Sequence, residues 1–298
     1  MIRGLLTTGA AFALVALAAG LWVTRPQRLD AVDLDGPWGD AARGEAVFWA
    51  AGCASCHSAV DAEGAGRLVL SGGQPFPSDF GTFYAPNVTP DPEAGIGGWS
   101  FTDFANAVQR GISPDGQHYY PAFPYTAYAL AETSDIADLW AFWQTLPASD
   151  VPSRQHDVRF PFSVRRTIGA WKALYMPDDW ITAVEGAQAE RGRYLAEALG
   201  HCAECHTPRG PLGGLDRDDW LGGAPNPTGR GSVPDITPSG LAWSEDEIAA
   251  YLADGFTPDF DSAGGHMAAV VRNLSNLPDG DRAAIAAYLK QVPPSAAD

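Results

Sequence analysis

Hydrophobic and polar positions in this chain form one continuous apolar run followed by two sets of amphipathic segments in the same order. Residues Gly4 to Val23 are apolar over 20 positions, broken only by Thr7 and Thr8 and flanked by Arg3, Arg25 and Arg28. That length spans a bilayer as a helix, whereas a cleaved signal has a shorter apolar region of about 7–15 residues and a small-residue site such as Ala16-Leu17-Ala18. The run predicts an uncleaved N-terminal transmembrane helix. The arginines on its two sides nearly cancel and do not orient it.

The two sets read as a repeat. Arg43-Gly44 opens a helix-like segment through Val47 and Phe48 to Cys53, and Arg191-Gly192 opens another through Tyr194 and Leu195 to Cys202. Each helix thus leads into a cysteine motif. Pro86-Asn87-Val88-Thr89-Pro90 and Pro234-Asp235-Ile236-Thr237-Pro238 follow at matching distances as proline-punctuated loops. Trp99-Ser100 and Trp243-Ser244 then start helices, with Asp103 or Glu247 three residues after the capping serine and Gly111 or Gly255 at the end. Each set closes with an apolar stripe at helical spacing. It comprises Leu139, Phe142, Trp143 and Leu146 in 135–146, and Ile285, Tyr288, Leu289 and Val292 in 281–292, with Pro147 and Pro293 behind.

All four cysteines lie in two C-x-x-C pairs, Cys53/Cys56 and Cys202/Cys205, each followed by a histidine, His57 and His206. C-x-x-C-H reads as c-type haem attachment, with two thioethers to the vinyl groups and an imidazole held where it reaches the iron. A single zinc site is disfavoured, because the pairs are far more than the usual roughly 15–20 residues apart. A disulfide across two residues closes too small a loop to stabilise much. Two covalently bound c-type haems are therefore expected, one per set. The length of 298 residues suits two domains, and the net charge of -17 excludes binding to a nucleic-acid phosphate backbone. Such acidity serves either solubility or the steering of a basic partner.

The order of helix, C-x-x-C-H, proline-rich loop, middle helix, distal loop and terminal helix resembles class I cytochrome c, present twice. More narrowly, Ala85-Pro86-Asn87-Val88-Thr89-Pro90-Asp91, Tyr120-Pro121-Ala122-Phe123-Pro124-Tyr125 and the run from Gly200 to Arg209 are similar to the cytochrome subunits of membrane-bound alcohol and gluconate dehydrogenases. The resemblance covers about residues 40–295; those subunits typically have three haem domains and this chain has two motifs. It implies an all-α fold of two tandem class I domains behind the transmembrane helix. The expected boundaries are 1–28 for the membrane segment, 29–147, a connection at 148–189, and 190–298. The connection carries Phe160, Phe162, Ile168, Trp171, Leu174 and Tyr175, which predict a helix packed between the domains; Arg165 and Arg166 are read as an exposed polar face, with haem propionates as the alternative.

By the same resemblance Met267, in a Gly-rich loop 12 residues past Gly255, is the distal ligand of the second haem. The same count from Gly111 reaches Phe123, which cannot bind iron. The first haem then takes His118, or has an open or water-filled position, or is reached by Tyr119, Tyr120, His156 or Met176. The resemblance implies an electron carrier between a dehydrogenase donor and an oxidase, quinone or other cytochrome acceptor, on the periplasmic side of a bacterial inner membrane. The alternatives are a haem enzyme, peroxidase or sulfur-compound oxidoreductase, with the first haem as its centre, and a gas sensor. No catalytic residue is assigned.

Overall fold

The structure is a computed structural model that describes residues 2–29, 39–226 and 231–295; the side chains at 2–7 and 9, and the segments 30–38, 227–230 and 296–298 of the expected domains, lie outside the described residues. The chain begins with helix α1 (Ile2–Val23). Among the described residues no helix is long and apolar enough to cross a membrane. The described part of α1 is nonetheless bare: Phe12, Leu14, Val15, Leu17, Leu21 and Trp22 are all exposed.

Asp40 starts the first domain. Its carboxylate accepts from the Ala42 and Arg43 amides at 2.8 and 3.0 Å, capping α2 (Ala41–Ala50). Gly52, at φ 66°, then turns the chain into α3 (Cys53–His57), so the haem motif forms a short helix of its own instead of ending α2. Strands β1 (Pro75–Ser78) and β2 (Gly81–Tyr84) follow, then α4 (Phe101–Arg110), α5 (Tyr125–Tyr128) and α6 (Thr133–Trp143). The connection supplies β3 (Asp157–Val158) and α7 (Ile168–Tyr175).

The second domain repeats the order. It has α8 (Ala187–Arg193), which runs on as a π-helical turn to Leu199, then α9 (Ala203–His206), β4 (Ala224–Pro225), β5 (Ser232–Val233), α10 (Glu245–Asp254), α11 (Gly265–Leu274) and α12 (Asp279–Leu289). The fold is mostly helical, but among the described residues two small antiparallel sheets, β1-β2-β3 and β4-β5, correct the all-α expectation. Their strands are two to four residues long, too short for an alternating pattern to show in the sequence, and β1 and β4 contain proline.

Both middle helices begin as the serines dictate. Ser100 and Asp103, and Ser244 and Glu247, form reciprocal capping boxes, and Gly111 and Gly255 end the helices in left-handed backbone at φ 58° and 80°. In each domain the first helix crosses the last at a glycine. A Cβ on Gly44 would run into the Asp138 carbonyl, and one on Gly192 into that of Ala284. The neighbouring arginines clamp the same crossings: Arg43 to Asp138 at 2.6 Å and Arg191 to Asp281 at 3.0 Å. Around them the core fills with Phe48, Leu139 and Trp143 in one domain and Leu195, Ile285 and Tyr288 in the other.

The connection is pinned to both domains. Asn87 donates from Nδ2 to the Ser149 and Val151 carbonyls at 2.8 and 2.7 Å, and β3 pairs with β2. From α7, Lys172 Nζ donates to the Gly111 carbonyl at 2.8 Å, while Trp171 Nε1 donates to that of Leu212 at 3.0 Å. The helix therefore bridges the domains, with Leu174 left facing solvent.

Candidate haem sites

One helical turn puts residues i, i+3 and i+4 on a single face, so α3 presents Cys53, Cys56 and His57 together. All three line a cavity of about 820 Å³, within the roughly 300–1,000 Å³ of cofactor sites, whose wall is otherwise mostly apolar, with Val47, Ile96, Phe104 and Leu139 among its residues. His57 Nδ1 lies 3.0 Å from the Pro86 carbonyl and donates to it, which leaves the Nε2 lone pair free for a metal. His206 repeats this with the Pro234 carbonyl at 2.8 Å. Burial lowers the pKa of both imidazoles and keeps them neutral, although those carbonyls pull the other way.

The proline-punctuated loops thus orient the imidazoles, a role the sequence left unread. Their shape follows from Asn87 Oδ1, which accepts from the Thr89 amide and hydroxyl at 2.9 and 2.8 Å, and from Asp235 Oδ1, which accepts from the Thr237 amide at 2.6 Å. Of the thiols, those of Cys53, Cys56 and Cys202 are part-buried and that of Cys205 is exposed. Burial pushes Cys53 and Cys202 up to about 12 and Cys56 up to about 11. A redox-active C-x-x-C works by lowering a thiol pKa, and these pairs are shifted the other way. The charge of Cys205 adds to the upward push on Cys56, an effect of the two motifs lying near each other across the domain boundary.

The cavity's remaining walls decide the distal question differently from the sequence. Phe123 lines it, with its ring 5.9 Å from that of Tyr128. His118 does not. An antiparallel bridge between Ile112 and His118 turns that side chain toward α1, where Nε2 lies 3.1 Å from the Thr24 carbonyl, and only 3% of the residue is exposed. The expectation of His118 as an iron ligand is corrected accordingly. Met176 is likewise not on the wall, whereas Tyr119, Tyr120 and His156 are. His156 Nδ1 accepts from the Tyr84 amide at 3.1 Å, so its proton sits on Nε2 and it offers the cavity a donor.

Met267 is half-buried against the core, in the first turn of α11 and not in a loop. Gly264 caps that helix and Gly265 opens it, so the glycines start a helix here instead of holding a loop. Of the two arginines, Arg165 lines the first cavity with its guanidinium 4.6 Å over Tyr120. Arg166 faces away and holds the end of α1.

Two helical domains, each with a C-x-x-C-H helix and an imidazole aimed by a proline carbonyl, define a tandem c-type haem protein. The chain belongs to the cytochrome c family, whose model, described as cytochrome c, matches residues 41–147 and 189–293. It is 58% identical over 295 residues to a "Diheme cytochrome c-type" protein of Cereibacter sphaeroides, covering 98% of this chain and 99% of that one. It is 36% identical over 271 residues to the fructose dehydrogenase cytochrome subunit of Gluconobacter japonicus, and 34% over 267 to the gluconate 2-dehydrogenase cytochrome c subunit of Pantoea cypripedii. Those matches cover 85% and 84% of this chain but only 53% and 59% of the relatives. The chain carries two covalently bound c-type haems.

Proposed function

We propose that this is an electron-transfer cytochrome that takes electrons from a dehydrogenase and passes them through two haems to a respiratory acceptor. Cys53, Cys56 and His57 hold the first haem; Cys202, Cys205, His206 and Met267 hold the second. The observation that carries the reading is the matched pair of imidazoles, each fixed in tautomer and direction by a proline carbonyl, in a chain similar to named dehydrogenase cytochrome subunits. A bound c-type haem supplies reversible one-electron chemistry. The protein's part is to hold the rings, exclude water and set each potential through its ligands. The bare apolar face of α1 supports an anchor in a bacterial inner membrane, with the haem domains on its periplasmic side.

A second reading is a haem enzyme working at the first site, favoured by Phe123 in the methionine position and by the His156 donor on the same wall. Redox titration with and without carbon monoxide separates the two. Two one-electron waves unmoved by the gas support electron carriage alone. One wave shifted by the gas, with peroxide turnover, supports the enzyme.

A further inference from the structure

Where α1 leaves the haem domains it is gripped by the connection. Arg166 donates from Nε to the Thr24 hydroxyl at 2.9 Å and from Nη2 to the Leu21 carbonyl at 2.6 Å. Gly169 lies so close to Thr24 that a Cβ there would strike its backbone. At the same level Trp22 is 65% exposed, with the Arg25 guanidinium 4.2 Å over its ring, the pairing that marks a bilayer's headgroup zone. The residues that touch this turn must therefore share its depth.

The neighbouring surface suits that depth. Phe160 is 82% and Leu174 66% exposed, and Phe162, Val164 and Leu212 are exposed beside them. Ring contact of Phe162 with Phe80 at 5.0 Å, the approach of Phe80 to Gly213, and the Trp171 bond to Leu212 link Phe162 to Leu212, with Phe160 and Val164 two residues to either side of Phe162 in the chain and Leu174 one turn past Trp171 on α7. Of the cations between 154 and 172, Arg154 and Arg165 line the first cavity and Lys172 donates to the Arg110 and Gly111 carbonyls, which leaves the exposed Arg159 and Arg166 to charge this face, with Asp157 nearby in the chain. Exposed aromatics among arginines are the composition of a surface that lies in an anionic lipid interface.

We propose that this collar, the face around Phe160, Phe162, Arg166 and Leu174, rests on an anionic lipid headgroup layer beside α1 and fixes how the haem domains stand on the membrane. The proposal rests on the anchor reading of α1. The test is to reconstitute the full haem-loaded chain into vesicles of phosphatidylcholine and phosphatidylglycerol in equal parts, with a photoactivatable group on the acyl chain near the headgroup. Lipid adducts are expected on α1 and on 160–174. Phe160→Ser with Leu174→Ser should lose the second set and keep both the first and the haem spectrum. Adducts on α1 alone would overturn the collar and leave the anchor standing. A chain that washes off with salt and shows no adduct on α1 overturns the anchor, and the collar with it. Bare residues in vesicles that become shielded from aqueous radicals in native membranes would make the face a protein interface, and that also overturns the proposal.

Discussion

Met267 and Phe123 stand at the same count from their helix-ending glycines, and that one exchange makes the two haem sites unequal. A thioether raises the potential of its iron. Met267→Ala should abolish the sulfur-to-iron absorption of the oxidised second haem and lower one of two midpoints, as read by optical redox titration. His118 makes the opposite prediction now that it faces Thr24. His118→Gln should leave the visible spectrum unchanged and cost about 1–2 kcal/mol through a lost buried hydrogen bond. It should also change the pH response. Burial holds its pKa below the ordinary 6.5, helped by Lys172 and Arg166 and opposed by the Thr24 carbonyl. The unfolded chain then takes up the proton more readily than the fold. The stabilisation is complete above about pH 6.5 and is lost as pH falls through that value toward the lower folded-state pKa. Denaturation midpoints measured at neutral and mildly acidic pH should therefore fall less steeply in the variant than in the parent.

At the scale of elements, the helix crossings hinge on two glycines. Gly44→Ala and Gly192→Ala each push a methyl into a carbonyl of the facing helix. Each should destabilise its domain by about 1–3 kcal/mol, the usual cost of overpacking, visible as a lower thermal midpoint. The Arg-Gly pairs were legible in the sequence as the start of a repeat, but not as crossing points, because only the partner helix shows why no side chain fits. The capping boxes, the C-x-x-C-H helices and the terminal helices were legible because local residues determine them. Both terminal helices end three residues short of the apolar stripe, and Leu146 and Val292 stay buried in the turn beyond. What the sequence hid was non-local. Strand β3 exists through its pairing with β2, His156 reaches the cavity wall from the connection, and the π-helical turn places Glu197 where Tyr288 donates to it at 2.8 Å.

For the molecule as a whole, Asn273 joins the two halves. It lies on α11, the helix of Met267, and is 2% exposed. Its Nδ2 donates to the hydroxyl of Ser55, inside the first C-x-x-C-H, at 2.7 Å, and its Oδ1 accepts from Arg67. The helix that carries Met267 is thus tied to the helix of the first C-x-x-C-H motif. Asn273→Ala strands both partners and should loosen the domains by about 1–3 kcal/mol. Magnetic coupling between the oxidised haems, followed by EPR, should broaden in distribution while each haem keeps its own ligand spectrum.

The wall that Val158, Ser163 and Arg165 give the first cavity comes from a stretch synthesised after everything else that lines it except Leu199 and His201. Pairing of β3 with β2 carries this late wall, so the connection completes the pocket that Cys53, Cys56 and His57 line from the other side. A chain unable to lay β3 on β2 would leave that side of the first cavity open to solvent.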